Sequence, residues 1–321
     1  MKEKEIEIIV PREQKEPERI DSFLSCYPEF ASRTQLKRLI EQGRVLVEGK
    51  AVKPSKRVRA GEKIKIIIPP PKPALPEPEP IPLKILYEDD HIIVVDKPAG
   101  LITHPLPGKL SGTLVNALLW HCSDLSGVGG VLKPGIVHRL DKLTSGVMVC
   151  AKNDRAHIGL AQQFKEHSIS RAYQALVWGR IDKEQGKIES LIARNPRHRL
   201  KMTAKAKKGK LAITEWKVLE RFKHFTLVEC RLFTGRTHQI RVHFTEMGHP
   251  LVGDPLYGRG RALSEKLPGE LRSRLRAIKR QALHAYKLGF KHPIFGKWLE
   301  FTSPLPEDFS SLLAVVRKYD R

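Results

Sequence analysis

The sequence predicts an α+β protein in two parts: a small α/β module at the N-terminus, and a larger unit with a mixed sheet flanked by helices. Three observations carry that prediction. Pro69 to Pro82, PPPKPALPEPEPIP, holds eight prolines in fourteen residues, a density that forbids helix and sheet ladder and so divides the chain. Before it, apolar residues recur first at helical and then at strand spacing. After it, short apolar strands mix with helical patterns through residues 83–321.

Within residues 1–68, Ile20, Phe23 and Leu24 fall on one face of a short helix. Ser32-Arg-Thr-Gln35 has capping-box spacing, with Ser32 as N-cap, and opens a second helix carrying Leu36, Leu39 and Ile40. Gly43 is placed to end it. Val45 and Val47 then alternate into Glu48-Gly49, a hairpin signal. The polar face of the second helix holds Arg33, Lys37 and Arg38, followed by Arg44, and Lys50, Lys53, Lys56, Arg57 and Arg59 continue the sign. Solvation explains an isolated basic face. A run this long, with few acids between, predicts a surface for an RNA backbone.

Residues 69–82 read as an extended spacer of ~3.1 Å per residue, with a PxxP-type docking ligand as the competing reading. Beyond it, Leu86, His91 to Val95 and Asp96-Lys-Pro98 predict a strand entering a turn. Val147 to Ala151 and Tyr173 to Val177 read as buried strands, Phe225 to Phe233 as a half-buried one, and His157 to Phe164 as a helix. There is no internal repeat.

Composition removes several classes of function. Lys and Arg number 58 against 35 Asp and Glu, a net charge of +23, which favours a polyanionic partner. A hydrophobic fraction of 40% supports an ordinary core and excludes a disordered basic tail. Cys26, Cys122, Cys150 and Cys230 form no CxxC pair, so reduced thiols in a cytoplasmic protein are expected. No apolar run approaches the ~18 residues of a spanning helix, and MKEKEIEIIVPREQ lacks the apolar core of a secretory signal. The Gly-x4-Gly-Lys-Ser/Thr phosphate loop, a GxGxxG after a strand and a GxSxG elbow are all absent. His138-Arg-Leu-Asp141 differs from the kinase His-Arg-Asp loop by an extra leucine, and no Asp-Phe-Gly follows. His238, His243 and His249 lack a second ligand group at zinc spacing, so no metal is expected.

What remains is a carboxylate in basic surroundings. Asp141 stands between Arg139 and Lys142 in a turn-rich stretch before an apolar strand. Neighbouring cations keep a carboxylate ionised, which suits a nucleophile or base; a structural ion pair would explain the same residues. A second segment, Thr234 to His243, brings Arg236, His238, Gln239, Arg241 and His243 together after a strand, donors suited to anions and base edges. Arg194 to Lys210 contains eight Lys/Arg and no acid. Arg259 to Arg280 has eight against Glu265 and Glu270, with an apolar stripe of Leu263, Leu267, Leu271, Leu275 and Ile278 that predicts an amphipathic basic helix. Three basic runs around one carboxylate predict a channel for a nucleic-acid backbone.

The sequence resembles a known family at these positions. His138-Arg-Leu-Asp141, Thr144-Ser-Gly146 and Gly235-Arg-Thr-His-Gln-Ile-Arg241 are similar to the signature of the RluA family of RNA pseudouridine synthases. The likeness continues through Lys97-Pro98-Ala-Gly100, Gly112-Thr-Leu-Val-Asn116-Ala-Leu and Gly248-His-Pro-Leu-Val-Gly-Asp254-Pro. Ser32-Arg33, Leu39-Ile40 and Gly43-Arg-Val45-Leu-Val47-Glu-Gly49 resemble the S4 RNA-binding domain. S4 together with Leu125-Ser-Gly-Val-Gly-Gly130 brings the chain nearest the RluD branch, which acts on large-subunit ribosomal RNA. Asp96, Leu143 and Arg171 depart from residues common in that branch.

The resemblance implies an S4 domain over residues 1–68, a linker over 69–82 and a catalytic domain with a largely antiparallel mixed sheet over 83–321. It implies conversion of uridine to pseudouridine: the N1–C1′ bond breaks, the uracil turns, C5 joins C1′ and the C5 proton leaves. No electrons or groups enter, so neither cofactor nor metal is expected. Asp141 is implied as the essential carboxylate, adding to the sugar or assisting removal of a sugar hydrogen. Arg241 is implied as its ion-pair partner, and Tyr173 as the ring that stacks on the base. Arg139 is implied to take the place of the flipped base. His138, Arg236, His238 and Gln239 are further substrate contacts, and Leu283 an apolar wall. Large-subunit ribosomal RNA or a pre-ribosomal particle is the implied partner, in the cytoplasm, with no membrane and no obligate protein partner. Transfer RNA is the rival substrate, and a non-catalytic RNA-binding or ribosome-assembly factor the rival of another class. A nuclease would want clustered carboxylates, which the basic segments lack.

Overall fold

The computed structural model describes residues 4–14, 16–27, 33–68, 75–106, 108–122, 125–130, 132–206, 208–258 and 267–320. The chain forms two compact units, Met1–Pro73 and Ala74–Arg321.

The first unit runs β1 (Lys4–Ile9), β2 (Glu18–Arg19), α1 (Ile20–Leu24), α2 (Arg33–Glu41), β3 (Val45–Val47), β4 (Lys50–Ala51), β5 (Arg57–Val58) and β6 (Lys63–Ile68). Four strands form a sheet in the order β1-β6-β3-β4, and β2 pairs β5. Both helices bury the predicted faces: Ile20, Phe23 and Leu24, then Leu36, Leu39 and Ile40, meet Val45, Val47, Ile64 and Ile66 in one core. The N–H of Gly43 donates to the Ile40 carbonyl (3.0 Å) and that of Arg44 to the Leu39 carbonyl (2.9 Å), the hydrogen-bond pattern of a Schellman terminus. Glu48 and Gly49 both take positive φ, as a two-residue I′ hairpin turn requires. The expected N-cap Ser32 lies outside the described residues, as do the side chains of Arg33 and Gln35.

The second unit runs β7 (Lys84–Glu88), β8 (Ile92–Lys97), α3 (Leu114–His121), β9 (Ser145–Ala151), α4 (Asp154–Lys165), β10 (Ser170–Trp178), β11 (Gln185–Arg194), β12 (Met202–Thr203), β13 (Lys210–Arg221) and β14 (Phe225–Leu232). It continues with α5 (Gln239–Glu246), α6 (Gly269–Ala277), β15 (Leu283–Lys291), β16 (Trp298–Thr302) and α7 (Glu307–Tyr319). The ten-stranded sheet has the order β12-β11-β13-β14-β10-β15-β9-β8-β7, with β16 on β15. Every pairing is antiparallel except β15 with β9.

Both faces of the sheet centre are covered. In β8, Ile93 and Val95 join the core of α3 and α5, while Ile92 and Val94 join that of α4, which is why this strand is continuously apolar. The same cause corrects the expectation for β14: Phe225 to Cys230 are all buried, so the strand is central and not half-exposed. Phe309, Leu312 and Val316 of α7 pack with Leu271 and Leu275 of α6 in a third core. α6 begins only after Pro268; the preceding residues 259–266 of the expected basic helix lie outside the described residues.

The proline-rich segment does not behave as one spacer. Residues from Ala74 onward belong to the second unit, because the extended backbone finds hydrogen-bond partners there. Asn116 Nδ2 donates to the Glu77 carbonyl (2.7 Å), Glu79 N–H to the Asn116 carbonyl (3.0 Å), and the Gly112 N–H to the Glu79 carboxylate (3.0 Å). All four cysteines are free thiols, three of them buried.

The parallel junction of β9 and β15 sets the place of the site. Gly146 there has φ of 126°, and a Cβ would stand 2.2 Å from the Ala285 carbonyl oxygen, so only glycine lets the two backbones close. The Asp141 turn enters β9 immediately before this point, and Leu283 opens β15 beside it.

Candidate active site

The Asp141 turn is pinned from three sides. Its carbonyl accepts the Thr144 N–H (3.0 Å). The Leu140 carbonyl accepts Thr103 Oγ1 (2.9 Å), and the Lys142 carbonyl accepts the Gly100 N–H (2.8 Å). Gln281 Nε2 donates to Thr144 Oγ1 (2.9 Å). Beneath the turn, the ammonium of Lys97 is fully buried and donates to the Pro98 and Leu101 carbonyls, both at 2.9 Å. Burial pushes it down to about 7, against the opposing field of Asp141.

Arg241 projects from the first turn of α5 and joins two carboxylates. Nη1 donates to Asp141 Oδ2 (2.9 Å); Nε and Nη2 form a fork with Asp254 Oδ2 (2.7 Å) and Oδ1 (3.0 Å). Burial works against the guanidinium charge, but the two carboxylates outweigh it and hold Arg241 above its ordinary value. Asp254 is itself fixed, its Oδ1 also accepting the N–H groups of Leu256 and Tyr257. Asp141 Oδ1 accepts no hydrogen bond from the described residues, so the carboxylate has one tethered oxygen and one open to a ligand.

A cavity of about 410 Å³ opens on this carboxylate, walled by Tyr173, Leu283, Ile240, Phe164 and Arg171. Tyr173 on β10 is buried, and burial raises its hydroxyl above the ordinary value, so it stays protonated. Arg171, also buried, donates to the Leu232 and Phe233 carbonyls; among the described residues it has no carboxylate partner and its Nε has no hydrogen-bond partner. With Arg139, Lys165 and Arg236 on the same lining, the cavity is strongly positive.

The structure brings Asp141, Tyr173, Arg241, Arg139, His138, Arg236, His238, Gln239 and Leu283 around this one cavity, but two are committed to the protein itself. Gln239 is a correction: its Oε1 accepts Thr234 Oγ1 and the Arg236 N–H, and its Nε2 donates to the Ile213 carbonyl and Thr214 Oγ1. That saturates the amide, which holds the β14–α5 turn and has no bond left for a substrate. His138 is a second. Its Nε2 accepts the Val149 N–H (3.1 Å) and its ring stacks on Phe164 at 4.7 Å. Burial, aided by Arg171, drives it down to about 3, so it buttresses the turn as a neutral ring. Arg139 is exposed, with Nη1 3.4 Å from His104 Nε2. In the first unit Lys37 and Arg38 are exposed on α2 and Arg44 is half-buried.

Two residues to which sequence reasoning gave no role stand out: Asp254, holding Arg241, and Tyr257, beneath it. A lone acid between a turn glycine and a proline, Gly253-Asp254-Pro255, was the available signal. The histidines considered for metal are bound to protein partners: His238 to Tyr257, His243 to Thr214 and Ser190, His249 to the Trp178 carbonyl. Among the described residues one group gathers three ligand atoms, Glu88, His121 and Cys122, and there Glu88 is already ion-paired with Lys152 and His121.

Likeness to known proteins places the chain among RNA-modifying enzymes. Residues 91–246 match the RNA pseudouridylate synthase family and residues 18–64 the S4 domain. An uncharacterised RNA pseudouridine synthase of Bacillus subtilis, YlyB, is 46% identical over 98% of this chain and 99% of its own length. The ribosomal large subunit pseudouridine synthase D of Zymomonas mobilis is 46% identical over 93% of each chain. Among solved structures, human RNA pseudouridylate synthase domain containing 4 superposes with a TM-score of 0.56 at 27% identity, covering 73% of this chain and 93% of that one. The chain belongs to the RNA pseudouridine synthase family, of the RluA type with an N-terminal S4 domain. No described helix is long and apolar enough to cross a membrane.

Proposed function

We propose that this enzyme isomerises specific uridines of large-subunit ribosomal RNA, in the cytoplasm, with Asp141 as the carboxylate that works on the ribose. The observation that carries the site assignment is the split environment of that carboxylate: Oδ2 held by Arg241, Oδ1 open to a cavity walled by Tyr173 and Leu283. The ribosomal substrate is supported by relatives named ribosomal large subunit pseudouridine synthase D at 43% to 46% identity over 93% to 94% of this chain.

In this reading Arg241 orients Asp141 through its hydrogen bond to Oδ2, so that the other oxygen is presented to the sugar. Tyr173 stacks on the uracil, and its hydroxyl stays protonated near the reacting atoms. Leu283 keeps water from the separated base and sugar. The target base leaves its stack at a cost of a few kcal/mol, which loop RNA reduces, and Arg139 fills the vacated place. Arg236 and His238 contact the substrate, and Arg33, Lys37, Arg38 and Arg44 of the S4 domain hold the RNA backbone. RNA or a pre-ribosomal particle is the partner.

Tritium release from RNA carrying [5-³H]uridine tests the reading, since joining C5 to C1′ must expel that hydrogen. Wild type is expected to release tritium from large-subunit ribosomal RNA, and Asp141→Asn to release none while still binding. Release from transfer RNA alone would move the substrate. Release by Asp141→Asn would remove the carboxylate from the chemistry, and silence on intact subunits as well would favour a binding protein.

A further inference from the structure

Tyr257 lies between the catalytic carboxylate and the cationic hairpin of β11 and β12. On the hairpin side, the Met202 N–H donates to the Tyr257 hydroxyl (2.7 Å), and Lys201 Nζ sits 5.7 Å from the ring centroid. On the site side, the hydroxyl is 2.9 Å from His238 Nδ1, and the Arg241 guanidinium carbon is 5.1 Å from the ring centroid. The ring thus has two cations against it, one from the hairpin and the arginine that grips Asp141. Beyond Met202 the hairpin turns through Arg197, His198 and Arg199, all exposed, with Asn195 Oδ1 capping the turn by accepting the Arg197 and His198 N–H groups.

The hydroxyl also decides what His238 offers to Asp141. Burial pushes the Tyr257 phenol up to about 12, so it keeps its proton. One lone pair takes the Met202 N–H; of the two acceptors in reach of the O–H, His238 Nδ1 at 2.9 Å is nearer than the Met202 carbonyl at 3.4 Å and is assigned the proton. The neutral imidazole then carries its hydrogen on Nε2, which faces Asp141 Oδ2 at 3.8 Å. The other tautomer would point a lone pair at a carboxylate. His238 pays for this placement with a left-handed backbone, φ of 58°, at the start of α5. A non-glycine residue keeps such a conformation only where its surroundings over-determine it.

We infer that Tyr257 is a positioning residue that fixes the His238 tautomer and, through His238 and Arg241, couples RNA seated on the Arg194–Thr203 hairpin to the orientation of Asp141. This rests on the reading of Asp141 given above. When a phosphate backbone lands on Arg197, Arg199 and Lys201, Met202 moves with the hairpin, and the hydroxyl it donates to transmits the shift to the same carboxylate oxygen that Arg241 holds.

The experiment compares Tyr257→Phe, which keeps the ring against its two cations, with wild type and with Lys201→Met, using thermal melting to establish that each is folded. Two readouts are taken. The ¹⁵N spectrum of labelled histidine should show His238 as a single Nε2–H tautomer in wild type and a mixture in Tyr257→Phe. Turnover of large-subunit RNA by Tyr257→Phe should fall about tenfold in kcat with little change in KM, and Arg197→Ala with Arg199→Ala should lower kcat in wild type but not in the Tyr257→Phe background. An unchanged tautomer, or hairpin effects on kcat that persist in full in Tyr257→Phe, would overturn the inference. The tautomer does not depend on the chemistry of Asp141: an active Asp141→Asn with the tautomer shift intact sinks the earlier reading alone, and an inactive Asp141→Asn with an indifferent Tyr257→Phe sinks only this one.

Discussion

Arg241 and Asp141 meet at 2.9 Å although a hundred residues of chain separate them. The contact requires α5 to be set against the entry of β9, and the fork of the guanidinium onto Asp254 fixes its direction. A lysine at position 241 would keep the charge but offer a single point donor in place of a planar fork. Arg241→Lys is therefore expected to lower kcat by roughly a hundredfold, the effect of misplacing a reacting group by about 1 Å, while filter binding of the RNA stays near wild type. Wild-type kcat in that variant would separate carboxylate orientation from catalysis.

Asp254 has no access to solvent and faces a guanidinium that is itself nearly buried. Removing one partner of a buried pair leaves the other charge without compensation, at roughly 3–5 kcal/mol. Asp254→Asn should lose a free energy of that size in urea unfolding, with turnover also reduced because Arg241 is no longer held. Retention of wild-type stability would show that Asp141 alone neutralises the arginine.

Much of this was legible in the sequence, and the rest was hidden for definite reasons. The helices of the first unit followed from the spacing of Leu36, Leu39 and Ile40, and the hairpin from Glu48-Gly49, because each is local. Asp141 was legible as one acid among cations. Gln239 was misread because donor-rich segments look alike whether the donors face a ligand or their own backbone, and only the positions of Ile213 and Thr214 decide it. Asp254 left only the weak signal of a lone acid between a turn glycine and a proline, and Tyr257 left none, because its contact with Met202 joins segments 55 residues apart. The role of residues 75–82 was hidden because proline content reports local conformation and not what an extended strand rests upon.

The S4 face offers a prediction in solution electrostatics. Lys37 and Arg38 stand exposed on α2, and each phosphate contact on single-stranded RNA contributes about 0.7 to the slope of log affinity against log salt. Arg33→Ala, Lys37→Ala and Arg38→Ala together should flatten that slope by about 2 and leave kcat at saturating RNA unchanged. An unaltered slope would take this face out of the contact surface.

At the β9–β15 junction, alanine in place of Gly146 would need its Cβ inside the contact distance of the Ala285 backbone, in a φ region that L side chains rarely adopt. The neighbouring atoms are backbone and cannot move aside as a flexible side chain would. Gly146→Ala should cost several kcal/mol, about 3 or more, and lower the melting temperature, with the loss of activity following the loss of fold. A soluble variant with wild-type melting would mean the parallel pairing is looser than its geometry implies.

Acid should destabilise the protein well before its carboxylates titrate. Burial holds His243 down to about 4, and burial with Arg171 holds His138 down to about 3, whereas both return to about 6.5 in the unfolded chain. Between pH 6.5 and about 4 the unfolded chain therefore binds protons that the native state does not, and stability falls as the pH falls. The full contribution is present above pH 6.5. Carboxylates held low by their partners, such as Asp308 with Arg280, begin to matter only below about pH 4.5, so the histidines govern the upper window. Each should contribute roughly 1–2 kcal/mol between pH 6.5 and 5. Urea midpoints at pH 7.5, 6.0 and 5.0 should decline for wild type and decline less for His243→Gln, and equal slopes for the two would remove His243 from the account.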